Sequence, residues 1–121
     1  MATFRMIVTD VPTSVDFYSN HLGFEVLEQY GPAMAILQRD DMTIWLAGPP
    51  ASASRPMPDG AQPVPGGWNR IVVPVDDIAA TVAQLRASGA TFRNEIVSGP
   101  GGQQILLSDP SGNLVELFQS G

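Results

Sequence analysis

The sequence has no cysteine, which excludes a disulfide framework and a thiol nucleophile. It is also poor in positive charge: six arginines stand against 12 acidic residues, and the net charge of −6 argues against nucleic acid as a partner. Charged residues of both signs make up only 15% of the chain, and there is one histidine, His21. No run of about 18 apolar residues occurs, so nothing reads as a membrane span. The opening "MATFRMIVTD" is too short in its apolar part for a signal peptide and lacks a cleavage pattern. These absences lead to the expectation of a cytoplasmic protein with no nucleic-acid and no membrane partner. What is present is a hydrophobic fraction of 44% over 121 residues. That supports one compact domain, or two small modules sharing a core.

The pattern favours two modules. Residues 2–9 alternate as a strand, with Phe4, Met6 and Val8 on one face. Residues 12–22 follow near helical spacing through Val15, Tyr18 and Leu22, and Gly23 is a natural stop. Short runs at 24–29, 33–38 and 42–46 read as strands, with turns at Gly31-Pro32 and Asp40-Asp41. The second half repeats this order. A strand at 69–75 carries Ile71, Val73 and Val75, and Asp76-Asp77 caps a helix with Ile78, Val82 and Leu85 that ends at Gly89. Strands follow at 91–97, 103–107 and 114–118. The expected fold is α+β: two β-α-β-β-β modules, 1–47 and 69–121, forming an open curled mixed sheet around a cleft with helices outside. Residues 48–68, rich in Pro, Gly, Ala and Ser, read as a linker or as a flap over something.

One residue disturbs the pattern. "LLSDPSGNLVELFQ" reads as a hairpin turned by Asp109-Pro110-Ser111-Gly112-Asn113, and Glu116 lies inside its second, otherwise apolar strand. Leu114, Glu116 and Phe118 share one face of that strand, and Val115 and Leu117 the other. A carboxylate there is costly to bury without a partner, so that face is either wet or lines a site.

The paired module, with "VTD…FYSNHLGFEV" opening one half and "DPSGNLVELF" closing the other, resembles the vicinal oxygen chelate superfamily. That superfamily contains glyoxalase I, extradiol dioxygenases, fosfomycin-modifying enzymes and bleomycin-binding proteins. The resemblance covers nearly the whole chain outside the linker and is more specific for fold than for function. It implies a cleft and, in metal-dependent members, ligands on the first and last strands of each module. His is common on the first strands and Glu on the last. Carried over by distance from the Val8-Thr9-Asp10 and Val75-Asp76-Asp77 segments, these positions are Thr3, Trp45, Arg70 and Glu116. Only Glu116 is of a ligand type, and a divalent site usually needs about three N, O or S donors. A guanidinium at Arg70 adds positive charge where a cation would sit. No metal and no cofactor is therefore expected, and His21 reads as a helix-end residue.

Strand parity points to the lining of the cleft independently. Phe4, Met6, Val8, Ile71, Val73, Val75, Val115 and Leu117 form the face expected under the helices. The opposite parity holds Arg5, Trp45, Arg70, Glu116 and Phe118, joined by Gln104 and Leu106; an apolar wall with a few polar groups suits a small-molecule ligand. Glu116 is expected to face Arg70 across the pseudo-twofold axis, either as a fold-holding pair or as part of a ligand site. Trp45 reads as core or as wall, and Trp68 as a lid or a loop anchor. The favoured function is a glyoxalase- or bleomycin-resistance-like, metal-free protein, a homodimer, that binds a hydrophobic or aromatic small molecule. The alternative is a lyase, isomerase or dioxygenase using Glu116 as general base or a non-standard metal site. A neighbouring guanidinium weighs against that base.

Overall fold

A computed structural model, describing residues 2–121, turns the two halves of the repeat into two mixed sheets. The chain divides into unit 1, Met1–Gly66, and unit 2, Gly67–Gly121. In unit 1, strand β1 (Ala2–Ile7) leads into helix α1 (Val11–Asp16), followed by β2 (Glu25–Tyr30), β3 (Met34–Arg39) and β4 (Met42–Ala47). The sheet order is β1-β4-β3-β2, with β1 parallel to β4 and the other pairs antiparallel. In unit 2, β5 (Arg70–Pro74), α2 (Ile78–Ala87), β6 (Thr91–Phe92), β7 (Val97–Gly99), β8 (Gly102–Ser108) and β9 (Leu114–Ser120) follow in turn. Their order is β5-β9-β8-β6, with β7 also paired to β8 and β5 parallel to β9. The fold is α+β, and the repeat extends to register: Arg5 lies opposite Trp45 as Val72 lies opposite Glu116.

Both helices start on an aspartate that leaves the extended conformation with its carboxylate turned back on the first turn. Asp10 accepts from the Thr13 backbone N–H and hydroxyl, and Asp77 accepts from the Ala80 N–H at 3.1 Å. The first helix is not uniform. After Asp16 it widens into a π-helical turn, Phe17–His21, before Gly23 stops it at φ +74°. That turn seats Tyr18, which is fully buried between edge contacts to Phe17 and Phe24. His21 is exposed at its end, as expected of a helix-end residue.

One face of each sheet is the core. In unit 1 it holds Met6, Ala35, Leu37, Ile44 and Leu46, and α1 packs on β3 and β4. In unit 2 it holds Ile71, Val73, Ile105, Leu107, Val115 and Leu117, facing Ile78, Val82 and Leu85 of α2. Phe4 keeps the expected parity, opposite Ile44, yet remains 39% exposed, because β1 is an edge strand and α1 covers β3 and β4 instead.

One further expectation changes. The strand read at 91–97 is broken into β6 and β7. Arg93 still donates its N–H to Leu106, but the next ladder position is taken by a side chain, Asn94 Oδ1 accepting from the Leu106 N–H at 2.9 Å. The segment after Gly48, read as a linker or a flap, is tied by hydrogen bonds of its own. Ser54 Oγ donates to the Gly48 carbonyl, Gln62 Nε2 donates to the Ser54 carbonyl, and the Met57 N–H donates to the Ala61 carbonyl. Folded back on the end of β1, it encloses a hollow of about 260 Å³ lined by Ile7, Thr9, Ser54, Gln62 and three prolines.

Candidate functional site

The hairpin that carries Glu116 is built by Asp109. Its Oδ1 accepts from the backbone N–H groups of Ser111 and Asn113 at 2.9 and 2.8 Å, while Gly112 supplies φ +88°. Ser108 is thereby set opposite Leu114, which fixes the register of β8 on β9 and puts Leu106 opposite Glu116 and Gln104 opposite Phe118. On the other side of β9, β5 puts Arg70 opposite Leu114 and Val72 opposite Glu116. Five of the seven sequence-predicted ligand residues therefore share one face of unit 2: Arg70, Gln104, Leu106, Glu116 and Phe118.

At the centre of this face Glu116 is 7% exposed. Arg70 reaches it diagonally from the neighbouring strand: Nε donates to Oε1 at 3.1 Å, and Nη2 lies 3.1 Å from the same oxygen as an ion pair. This corrects the expected geometry. The pair does not span two modules; both residues belong to unit 2, because β5 and β9 are sheet neighbours although 46 residues separate Arg70 from Glu116. Both contacts fall on one oxygen, and the other N–H donors of the guanidinium have no partner among the described residues. Glu116 Oε2 receives no donor from the described residues and keeps contact with solvent. Val72, 43% exposed, and the half-buried Leu106 and Phe118 surround the pair with apolar surface. Leu114, expected on this wall, is 1% exposed and serves as floor rather than contact surface.

The other two predicted residues, Arg5 and Trp45, meet in unit 1. They are opposite one another on β1 and β4, and the Arg5 guanidinium lies 4.8 Å from the Trp45 ring centroid. Sequence reasoning missed a similar contact in unit 2. Arg93 lies over Trp68 at 5.1 Å, and Trp68 is 67% exposed. The signal available was only that Trp68 falls just before the strand predicted at 69–75 and Arg93 inside the one predicted at 91–97.

The four positions at which the resemblance places metal ligands do not make a donor set. Thr3 is exposed on an edge strand, Trp45 offers an indole stacked under a guanidinium, and Arg70 is itself a cation bound to Glu116. No three of His, Cys, Asp and Glu gather among the described residues. One carboxylate already committed to an arginine does not fit a divalent ion.

The model of the Glyoxalase/Bleomycin resistance protein/Dioxygenase superfamily matches residues 1–117 of this chain. Among solved structures, a member of that superfamily from Sphaerobacter thermophilus is 27% identical with a TM-score of 0.77, covering 99% of this chain and 96% of its own. An antibiotic binding protein from a Streptomyces species is 26% identical with a TM-score of 0.75, covering 98% and 93%. A lactoylglutathione lyase from Agrobacterium tumefaciens shares the fold at 18% identity and a TM-score of 0.75, covering 98% and 92%. No curated protein sequence matches the chain.

Proposed function

Because the chain belongs to the Glyoxalase/Bleomycin resistance protein/Dioxygenase superfamily, we propose that it is a cytoplasmic, metal-free binding protein that holds a planar, largely apolar small molecule without converting it. The observation that carries this reading is the Arg70–Glu116 pair, set among Val72, Leu106 and Phe118. It is the arrangement of a small-molecule contact surface, apolar area around a few oriented polar groups. The arginine donors left over from Glu116 meet a carbonyl or acidic oxygen, and the aliphatic and aromatic side chains take the ligand body. Arg5 and Trp45 offer unit 1 a comparable stacking surface. The likeness to an antibiotic binding protein at 26% identity supports binding over turnover. The same reading takes the protein as a homodimer, since the edge strand β2 leaves Val26, Leu27 and Tyr30 exposed.

The test is a titration with three dyes of different charge: 8-anilinonaphthalene-1-sulfonate (anionic), Nile red (neutral) and thioflavin T (cationic). At least one is expected to bind the wild type and to bind Arg70→Ala more weakly, with Trp45→Ala testing the unit 1 surface separately. Binding that survives both substitutions, or binding of none of the three, refutes the site. A panel of aromatic metabolites, followed by mass spectrometry, tests the absence of turnover; conversion that stops in Glu116→Gln overturns it. One chelator-removable metal per chain in untagged protein, its removal lowering the melting temperature, refutes the metal-free part.

A further inference from the structure

Arg93 and Trp68 come from opposite edges of the unit 2 sheet. Trp68 precedes β5, one edge strand, and Arg93 follows β6, at the other end of the order β5-β9-β8-β6. Adjacent strands lie about 4.8 Å apart, so three spacings, roughly 14 Å, separate those edges. The register also fixes which face Arg93 occupies. Thr91 pairs with Ser108 and Phe92 with Leu107, and the Arg93 N–H donates to the Leu106 carbonyl at 2.8 Å. Arg93 is therefore opposite Leu106, whose own partner on the far side is Glu116. Directly opposed residues share a face, so Arg93, Leu106, Glu116 and Val72 form one row across the sheet. The stack of Arg93 on Trp68, at 5.1 Å, thus bridges the two edges on the face that carries the Arg70–Glu116 pair.

Three features make this bridge separable. Trp68 is 67% exposed, so one side of its indole meets the guanidinium and much of the rest meets water. It follows Gly67 at φ +91°, where an added Cβ would meet open space. Arg93 has no carboxylate partner among the described residues, whereas Arg39, Arg70 and Arg86 each have one. An exposed cation–π contact favours the closed form over the open one by only about two- to five-fold.

We propose that Trp68 and Arg93 are a clasp over the ligand face of unit 2, and that the ligand they close on is a planar aromatic anion. The inference rests on the binding function proposed above and adds the charge class of the ligand. On opening, the indole stacks on the ligand ring and the guanidinium, released from the indole, takes the acidic group in a charge-assisted hydrogen bond. Arg70 does not serve as well, because Glu116 already balances its charge. The chain's net charge of −6 opposes an anion at long range and so slows encounter, while the contact itself is local.

The experiment compares wild type, Arg93→Ala, Arg93→Lys and Trp68→Ala in binding 8-anilinonaphthalene-1-sulfonate and the neutral Nile red. Arg93→Ala is expected to weaken the anionic dye on the order of ten-fold and to leave Nile red unchanged or tighter. Arg93→Lys should recover part of the anion binding, since it keeps the charge. Trp68→Ala should weaken both dyes by about five-fold, the loss of a stacking partner. Both side chains are exposed, so the variants should keep the wild-type urea midpoint. If Arg93→Ala binds both dyes as wild type does, or weakens both by one common factor, the clasp is refuted. Dye binding that falls in Trp45→Ala and Arg70→Ala yet ignores Arg93 and Trp68 sinks the clasp alone. Failure of the wild type to bind any dye sinks the proposed function and the clasp with it.

Discussion

Replacing Glu116 by glutamine is the most direct probe of the site's electrostatics, because it removes one charge and almost no volume. The Glu116 side chain is 9% exposed and that of Arg70 31%, which puts the pair between the buried and the surface cases. Breaking a buried pair costs about 3–5 kcal/mol and losing an exposed one about 0–1 kcal/mol. Glutamine keeps an oxygen that can still accept from Arg70 Nε, so part of the hydrogen bonding survives, and a loss of about 2 kcal/mol is expected. For a chain of this length that lowers the melting temperature by about 6–8 °C. Exposure also predicts an asymmetry. Arg70→Gln strands the more deeply buried partner, so it should cost more than Glu116→Gln, and the double variant should cost less than the sum. The control is Glu95→Gln, whose partner is Arg86 but whose side chain is 86% exposed; it should stay within about 0.5 kcal/mol of wild type. The assay is urea denaturation of all four variants, analysed as a double-mutant cycle. A Glu116→Gln loss no larger than that of Glu95→Gln, with no coupling to Arg70, would mean that the carboxylate is solvated and that the reasoning from burial to site fails.

Gly102→Ala should destabilise by about 1–3 kcal/mol in urea denaturation, because the position has φ +146° and an added Cβ would lie 2.1 Å from the Gln119 carbonyl oxygen. Gly101→Ala, where nothing lies within 4 Å, is its control. In unit 1 the Thr13 hydroxyl, and then its backbone N–H, hold the Asp10 carboxyl below its ordinary pKa. A carboxyl whose folded pKa is depressed adds stability above its unfolded value and loses it as pH falls through the folded one. NMR titration should therefore find Asp10 titrating later in acidification than an unpaired aspartate, and Thr13→Val should abolish most of that difference.

The repeat was legible because both of its signals are local. Alternation at period two marks the buried faces, and an aspartate before each helix with a glycine after it marks the ends. The membership of the unit 2 face that carries Glu116 follows from the same parity, which puts Gln104 and Leu106 on its side of the sheet. Pairing itself was not legible. Nothing in the spacing of Arg70 and Glu116 shows that their strands are parallel neighbours, so a contact between adjacent strands was read as one across the pseudo-twofold axis. The break at Arg93-Asn94 was hidden for another reason: Asn94 replaces a backbone acceptor with a side-chain one, which strand propensity does not register. The repeat also shows where the two faces part. Trp45 and Glu116 hold equivalent places on the last strands, but the arginines that meet them do not hold equivalent places on the first. Arg5 lies directly opposite Trp45, whereas Val72 lies opposite Glu116 and Arg70 reaches the carboxylate from two residues earlier. With the backbone register held constant, a ring under a guanidinium in one unit and an ion pair in the other give the two faces different chemistry.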